Sequence, residues 1–190
     1  MSAGRLLRAD ALVPVPWRNG QGITREIAAM PPGAGPDDFL WRVSLADVVG
    51  AAPFSRFPGV DRVIALIDGA GFRMTLDGAQ IHDLTTPCAP FAFPGEAQVA
   101  VALAGGPTRD FNLMLRRGAA AGRIDVWRGA GPHPCPDDLV LLYLARGQAK
   151  IAEGCLDAGD SWLSDGSGMP SVDLADGAVA LAASVQLSGR

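Results

Sequence analysis

The sequence predicts an all-β protein, and three observations support this prediction. The 190 residues include 24 glycines and 15 prolines, which are spread along the chain in short groups. Between these groups lie runs of about five to seven residues, the spacing typical of β-sandwiches and barrels. Several of these runs alternate apolar and polar residues, and no amphipathic helix of three turns is evident.

The first half of the chain carries the clearest strand patterns. In Phe39–Ala46, Trp41 and Val43 share one face while Arg42 and Ser44 share the other. The segment Leu45–Val49 could form a single helical turn. The predicted strands of this half are Leu12–Val15, Ile23–Ala28, Phe39–Ala46, Arg62–Ile67, Gly71–Leu76, Ala97–Leu103 and Asp110–Arg116.

A stretch rich in glycine and alanine, Gly118–Gly122, predicts a linker between two modules, residues 1–117 and 118–190. Strand-like runs resume after it at Ile124–Trp127, Leu139–Ala145 and Ala178–Leu187. Residues 143–154 are weakly similar to residues 66–78, since each has an apolar strand, a glycine turn and a second strand. This internal similarity suggests two related β-modules, whose boundary is approximate.

Composition and charge exclude several classes of function. The formal net charge is −4, and Lys150 is the only lysine. This argues against binding to nucleic acid or to an anionic membrane surface. Three widely spaced cysteines without a CxxC motif indicate neither a disulfide framework nor a zinc site. No apolar run approaches membrane-spanning length, so we expect a cytoplasmic protein.

The sequence lacks the usual signatures of catalysis and of cofactor binding. His82 and His133 are the only histidines and lie far apart, so we predict no metal site. There is no GxSxG motif for a nucleophile and no GxxxxGK loop for phosphate. We therefore predict no cofactor and name no catalytic residue.

Recognition of a small molecule is the chemistry that remains. Alternation places several polar residues opposite apolar neighbours, namely Thr24, Glu26, Arg42, Ser44, Arg62, Asn112 and Arg116. On alternation alone, the favoured interpretation is the solvent face of antiparallel sheets. The composition of the set favours a binding pocket instead, because arginine suits a carboxylate while hydroxyls and asparagine can bind an amide.

The most informative segment is Phe54–Arg62, in which Pro58 and Gly59 predict a tight turn before a buried strand. Asp61 and Arg62 then lie at the mouth of that strand, where a guanidinium could meet an anion. Trp17 and Trp41 are either core residues or pocket walls, and the sequence does not decide between the two.

Four segments resemble ordered motifs of the HutD/Ves family: WRNGQGITREIA from Trp17, FLWRVSLA from Phe39, PFSRFPGVDR from Pro53 and DFNLM from Asp110. The resemblance covers Trp17–Arg116 and is diffuse beyond it. It implies a bicupin fold, with two packed cupin-like β-barrel modules in one chain. It also implies a link to bacterial histidine utilisation or, in the Ves branch, to stress.

The resemblance implies binding of a pathway intermediate such as formiminoglutamate or formylglutamate. It makes Arg62 the best candidate to hold a ligand carboxylate. The other candidates that it implies for the pocket are Asp61, Trp17, Asn19, Thr24, Glu26, Arg42, Ser44 and Asn112. Gln21 stands where the family usually has glycine, which would cost about 1 kcal/mol if that position has a positive φ.

Three functions stay open at this stage. The first is a metal-free binding protein whose partner is a small acidic metabolite and which moderates histidine catabolism. The second is a cupin-type isomerase or hydrolase with Glu26 as general base. The third is a regulator that acts on another protein, and a homodimer is also plausible because sheet edges are exposed.

Overall fold

The computed structural model describes residues 4–167 and 171–189. The described residues form eighteen strands and one three-residue 3-10 helix, Ala9–Ala11, so the all-β prediction is confirmed. The strands are β1 (Gly4–Leu7), β2 (Pro14–Pro16), β3 (Gly22–Met30), β4 (Trp41–Val48), β5 (Val60–Asp68), β6 (Phe72–Leu76), β7 (Gln80–Leu84), β8 (Phe91–Pro94), β9 (Val99–Leu103), β10 (Thr108–Arg116), β11 (Ala120–Arg128), β12 (Gly131–Pro134), β13 (Leu139–Arg146), β14 (Gln148–Ile151), β15 (Gly154–Asp157), β16 (Ser161–Ser164), β17 (Ser171–Leu174) and β18 (Val179–Leu187).

The chain divides into two compact units. The N-terminal unit comprises Val13–Ala121 with Ser188 and Gly189, and the C-terminal unit comprises Gly122–Leu187 with the described residues up to Leu12. Residues 4–12 therefore belong to the C-terminal unit, whereas a boundary at residue 117 would place them in the N-terminal one. The reason is that β1 pairs with β16 along its whole length, from Gly4 opposite Ser164 to Leu7 opposite Ser161.

The N-terminal unit contains two antiparallel sheets that share an apolar core. The six-stranded sheet has the order β2-β3-β4-β10-β5-β8, and the three-stranded sheet has the order β7-β6-β9. Ile64, Leu66 and Phe93 of the larger sheet pack with Phe72 and Met74 of the smaller one. The inner face of the larger sheet is thus defined by the even-numbered residues of β5.

The C-terminal unit also contains two antiparallel sheets. Their orders are β1-β16-β13-β18-β11 and β12-β17-β14-β15. The core combines Leu142, Ala180 and the fully buried Trp162 of the first sheet with Leu156 and Val172 of the second. The similarity between residues 66–78 and 143–154 has a structural counterpart, since each segment leads from the larger to the smaller sheet of its unit.

Two predictions about local structure are wrong. The linker predicted at Gly118–Gly122 is a turn that runs directly into β11 at Ala120, because the strand pairing continues through the small residues. The helical turn considered at Leu45–Val49 is strand as far as Val48, where β4 pairs with β10 from Trp41 opposite Leu115 to Val48 opposite Thr108. Tertiary pairing of β4 with two neighbours overrides the local preference.

The sheets do not close into barrels. Each of the four sheets, within the described residues, is an open order with two edge strands. The barrel closure that the family resemblance implies is therefore absent from the hydrogen-bonding pattern. Residues 4–167 and 171–189 also contain no helix long and apolar enough to span a membrane.

Candidate functional site

The inner face of the six-stranded sheet carries a row of polar side chains next to the apolar core. Antiparallel register places Ser44 opposite Asn112, and Asn112 opposite Ile64. The next row runs from Arg42 through Met114 to Arg62. Because these rows are two residues apart, their side chains project from the same face as the core residue Ile64.

Arg62 is the central residue of this site. Only 6% of the residue is exposed, and its guanidinium carbon lies 4.9 Å from the ring centre of Phe93, 5.4 Å from that of Phe54 and 5.7 Å from that of Phe57. Three rings thus stabilise the cation through cation–π contacts. Its Nε atom has no hydrogen-bond partner, and no ion pair in the described chain includes it.

Burial is the main cause that lowers the pKa of Arg62, the negative charge of Asp110 opposes this shift, the positive charge of Arg42 adds to it, and the net value is about 10. The shift reflects the cost of holding a cation away from water without a carboxylate within salt-bridge distance. Arg62 is still protonated at neutral pH. The site therefore presents a buried positive charge with a free N–H donor, which is an arrangement suited to an anion.

Two buried hydrogen-bond acceptors on β10 face the same interior. Asp110 is 1% exposed and its Oδ2 atom has no partner, while Asn112 is 6% exposed and its Oδ1 atom has none. Burial is the main cause that raises the pKa of Asp110, the charge of Arg62 opposes this shift, the charge of Asp47 adds to it, and the net value is about 7. Such unsatisfied polar groups are uncommon in protein interiors. Others occur in the C-terminal unit, among them Trp162 Nε1, but on this face an unpartnered cation and two unpartnered acceptors lie in neighbouring rows, which makes it the candidate site.

The remaining polar groups of the site already have partners. Arg42 donates from Nε to Oε2 of Glu26 at 2.7 Å. Trp17 donates from Nε1 to the Thr24 hydroxyl at 2.8 Å, and its ring packs edge-on against Phe54 with centres 6.2 Å apart. These contacts fix the side chains around Arg62, so Trp17 lies in the wall of the site rather than in the centre of the core.

The structure brings seven of the nine predicted residues to this face, namely Arg62, Trp17, Thr24, Glu26, Arg42, Ser44 and Asn112. Asp61 and Asn19 lie elsewhere. Asp61 precedes Arg62 in a strand and so projects from the opposite face, where it accepts hydrogen bonds from Arg117. Asn19 is exposed, and its side-chain oxygen accepts the N–H of Gln21 at 3.0 Å. Trp41 is buried on the face opposite Arg42.

Sequence reasoning missed Asp110 and the three phenylalanines that surround Arg62. Asp110 could have been found, because it alternates with Asn112 on β10 and the two share one face. Phe54 and Phe57 lie in the irregular segment before β5, where no periodicity predicts the direction of a side chain.

Gln21 does not need a positive φ. Within the described chain, positive φ values among residues other than glycine occur at Asp77 and Cys88, and in this loop it is Gly20 that has φ +70°. The Gln21 side chain lies where a β-carbon on Gly50 would be, 1.7 Å from its Oε1 atom. The loop therefore accommodates glutamine without backbone strain, because the loop between β4 and β5 provides a glycine beside it.

Other surfaces of the molecule are weaker candidates for a binding site. A groove of about 280 Å³ lies on the C-terminal unit, lined by Gln148, Lys150, Cys155 and Asp173 among others. None of its lining residues is among the buried side chains without a partner in the described chain. Over the same residues, no three His, Cys, Asp or Glu side chains lie close enough together to hold a metal ion.

The fold and the site define an all-β protein. Its candidate site lies between the two sheets of the N-terminal unit and contains buried polar atoms without hydrogen-bond partners. The model of the HutD family matches residues 9–182, and the chain belongs to this family. The resemblance of the four sequence motifs to the HutD/Ves family is thereby confirmed.

Related proteins and structures agree. The chain is 38% identical over 152 residues to an uncharacterised 21.2 kDa protein from the hutC 3′ region of Pseudomonas putida, covering 80% of this chain and 79% of that protein. It is 40% identical over 111 residues to protein Ves of Citrobacter koseri, covering 58% of this chain and 56% of that protein.

Among solved structures, HutD from Pseudomonas fluorescens SBW25, described for a formate condition, matches with a TM-score of 0.85 and 34% identity over 97% of this chain and 99% of that one. A cupin 2 conserved barrel domain protein from Leptotrichia buccalis matches with a TM-score of 0.59 and 10% identity, over 98% of each chain. This second match concerns the fold alone, which is cupin-like.

Proposed function

We propose that this chain is a small-molecule-binding protein that recognises a carboxylate-bearing amino-acid derivative of the formiminoglutamate or formylglutamate class. In this proposal, binding moderates histidine catabolism and needs no metal, and the two units are the modules of a bicupin. The observation that carries the proposal is Arg62, a buried cation with an unpartnered Nε atom and, within the described chain, no carboxylate at salt-bridge distance.

One comparison supports the choice of pathway, since the relative from P. putida is described by its position in the hutC 3′ region. The choice of a carboxylate ligand rests on Arg62. A buried guanidinium without a salt bridge costs free energy, and an incoming carboxylate would recover part of that cost.

The test is calorimetry with formiminoglutamate, formylglutamate, urocanate and glutamate on the wild-type protein and on Arg62→Met. Methionine keeps an unbranched apolar stem and removes the charged guanidinium, so affinity should fall about ten-fold or more. The same variant should be more stable by about 1–3 kcal/mol, because the desolvated charge is gone. A gain in stability would show that the lost binding does not come from misfolding.

Arg73→Met is the matched control. Arg73 is exposed on β6 and pairs with Asp83 at 2.7 Å, away from the inner face of the six-stranded sheet. It should bind like the wild type. The proposal fails if none of the four compounds binds, or if Arg62→Met binds as tightly as the wild type does.

A second candidate function is acid–base catalysis, which one observation favours. Burial brings the pKa of Asp110 to about 7, close to the value at which a general acid or base works best at neutral pH. Glu26, the base suggested by the sequence, is bound to Arg42 instead. Turnover of any of the four compounds, followed by NMR, should then be lost in Asp110→Asn and kept in Glu26→Gln. No turnover by the wild-type protein rules this function out.

A further inference from the structure

The unpartnered atoms of the site include more acceptors than donors. Arg62 Nε is one donor, whereas Asp110 Oδ2 and Asn112 Oδ1 are two acceptors. A plain carboxylate has only acceptor atoms, so it could satisfy Arg62 but neither of the other two. Each buried acceptor left without a donor would keep its full desolvation cost in the complex.

Register fixes where these atoms lie relative to one another. On β5, Arg62 is opposite Met114, Ile64 is opposite Asn112 and Leu66 is opposite Asp110. The row of Asn112 is therefore next to the row of Arg62, about 7 Å along the strands, and the row of Asp110 is one step further. The two acceptors lie on one side of the cation, in line along β10, rather than around it.

Resting on the proposed function, we propose that Asp110 and Asn112 accept hydrogen bonds from an N–H group of the ligand. The site would then select an oxyanion that also carries an amide, amidine or ammonium N–H over a carboxylate that lacks one. The oxyanion lies on Arg62 and the N–H group points along β10.

The chemistry of Asp110 suits this role in either protonation state. An ionised carboxylate accepts through both oxygens, and a protonated one keeps an acceptor oxygen. The Asn112 amide can direct its oxygen toward the same donor. The two residues opposite Asn112, Ser44 and Ile64, are 2% and 0% exposed, so bulk water does not simply replace a missing donor.

The experiment compares two ligands that differ by one N–H group. N-formylglutamate and 2-(formyloxy)glutarate have the same shape, but an ester oxygen replaces the amide N–H in the second. The ester should bind the wild-type protein at least about ten-fold more weakly, because it offers no donor and brings an additional acceptor close to Asp110 and Asn112. Glutarate, which has carboxylates alone, should bind more weakly still.

Two variants locate the effect. In Asp110→Asn, whose new amide can donate, the preference for the amide ligand over the ester should shrink to about three-fold or less. In Asn112→Leu, which removes an acceptor and keeps the volume, it should shrink as well. Asp176→Asn, an exposed position on the C-terminal unit, is the control and should keep the wild-type preference.

The outcomes separate this inference from the proposed function. Equal affinity of the two ligands for the wild-type protein overturns the inference and leaves carboxylate binding at Arg62 standing. An undiminished preference in both Asp110→Asn and Asn112→Leu also overturns it. If neither ligand binds, this inference fails, whereas the proposed function is decided by the calorimetry of the four compounds on the wild type and on Arg62→Met.

Discussion

Replacing Asp110 with asparagine should remove a pH dependence from the stability of the protein. Asp110 is 1% exposed, with Arg62 and Asp47 as the charged groups that act on it. Burial raises its pKa from 3.8 to about 7. In the unfolded chain the same carboxyl is hydrated and returns to its ordinary pKa.

The sign and the size of the effect follow from that difference. A carboxyl whose pKa is higher in the folded state does not lower the free energy of unfolding below its unfolded pKa. As the pH rises from the unfolded to the folded pKa, the free energy of unfolding falls, and above the folded pKa it falls no further. Between pH 5 and 8 the carboxyl of the unfolded chain is ionised, whereas the folded one stays protonated until the pH reaches its folded pKa. That pKa lies about two pH units above pH 5, so about two pKa units of the difference act in this range. At 1.36 kcal/mol per unit, stability should fall by about 2.5 kcal/mol over this range.

Urea unfolding at pH 5 and pH 8, followed by tryptophan fluorescence, measures this change. The wild type and the control Asp176→Asn should both lose about 2.5 kcal/mol, while Asp110→Asn should change by less than about 1 kcal/mol. Carboxyls with a lowered pKa, such as Asp47 and Asp160, are already ionised at pH 5 in both states and add no slope. If Asp110→Asn lost as much unfolding free energy between pH 5 and pH 8 as the wild type, the reasoning would be refuted.

Two further substitutions test the support of the site and of the N-terminal strand. A β-carbon on Gly22 would lie 2.7 Å from both the Asp47 carbonyl oxygen and the Trp17 ring, so Gly22→Ala should cost about 1–3 kcal/mol in urea unfolding and weaken ligand binding in calorimetry. Gly35→Ala is its control, because a β-carbon there would meet only the end of the Asp38 side chain, at 3.3 Å, which can move aside. Unchanged binding in Gly22→Ala would contradict the role given to Trp17. Asp160 accepts hydrogen bonds from the Ala9 and Asp157 N–H groups at 3.0 and 3.1 Å and from Arg8. Asp160→Ala should therefore lower the free energy of unfolding by about 2–4 kcal/mol and speed hydrogen exchange in β1. Unchanged exchange rates in β1 would contradict the role of Asp160 in holding this strand.

The pKa of Asp160 is consistent with its role in holding the end of β1. Burial by itself would raise it, but the hydrogen bonds from the Asp157 and Ala9 N–H groups and from Arg8 more than compensate, so that its pKa lies below the ordinary value. A carboxyl of this kind stabilises the fold at neutral pH and loses its contribution as the pH falls through its folded pKa.

Much of the site follows from the sequence because a strand has a two-residue period. Once Arg62–Ile67, Phe39–Ala46 and Asp110–Arg116 are recognised as strands, the faces of Arg62, Arg42, Ser44 and Asn112 are fixed. The same rule separates Asp61 from Arg62, since neighbours in a strand project to opposite faces. The family is also determined by sequence, through four short motifs in the first 116 residues.

The tertiary structure alone decided which of those faces was buried and what surrounded it. Alternation is identical for a solvated face and for a pocket, and the difference arises only when the three-stranded sheet covers the six-stranded one. The ring contacts of Phe54 and Phe57 with Arg62 come from an irregular segment without periodicity. The pairing of β1 with β16 joins positions more than 150 residues apart, which no local pattern encodes.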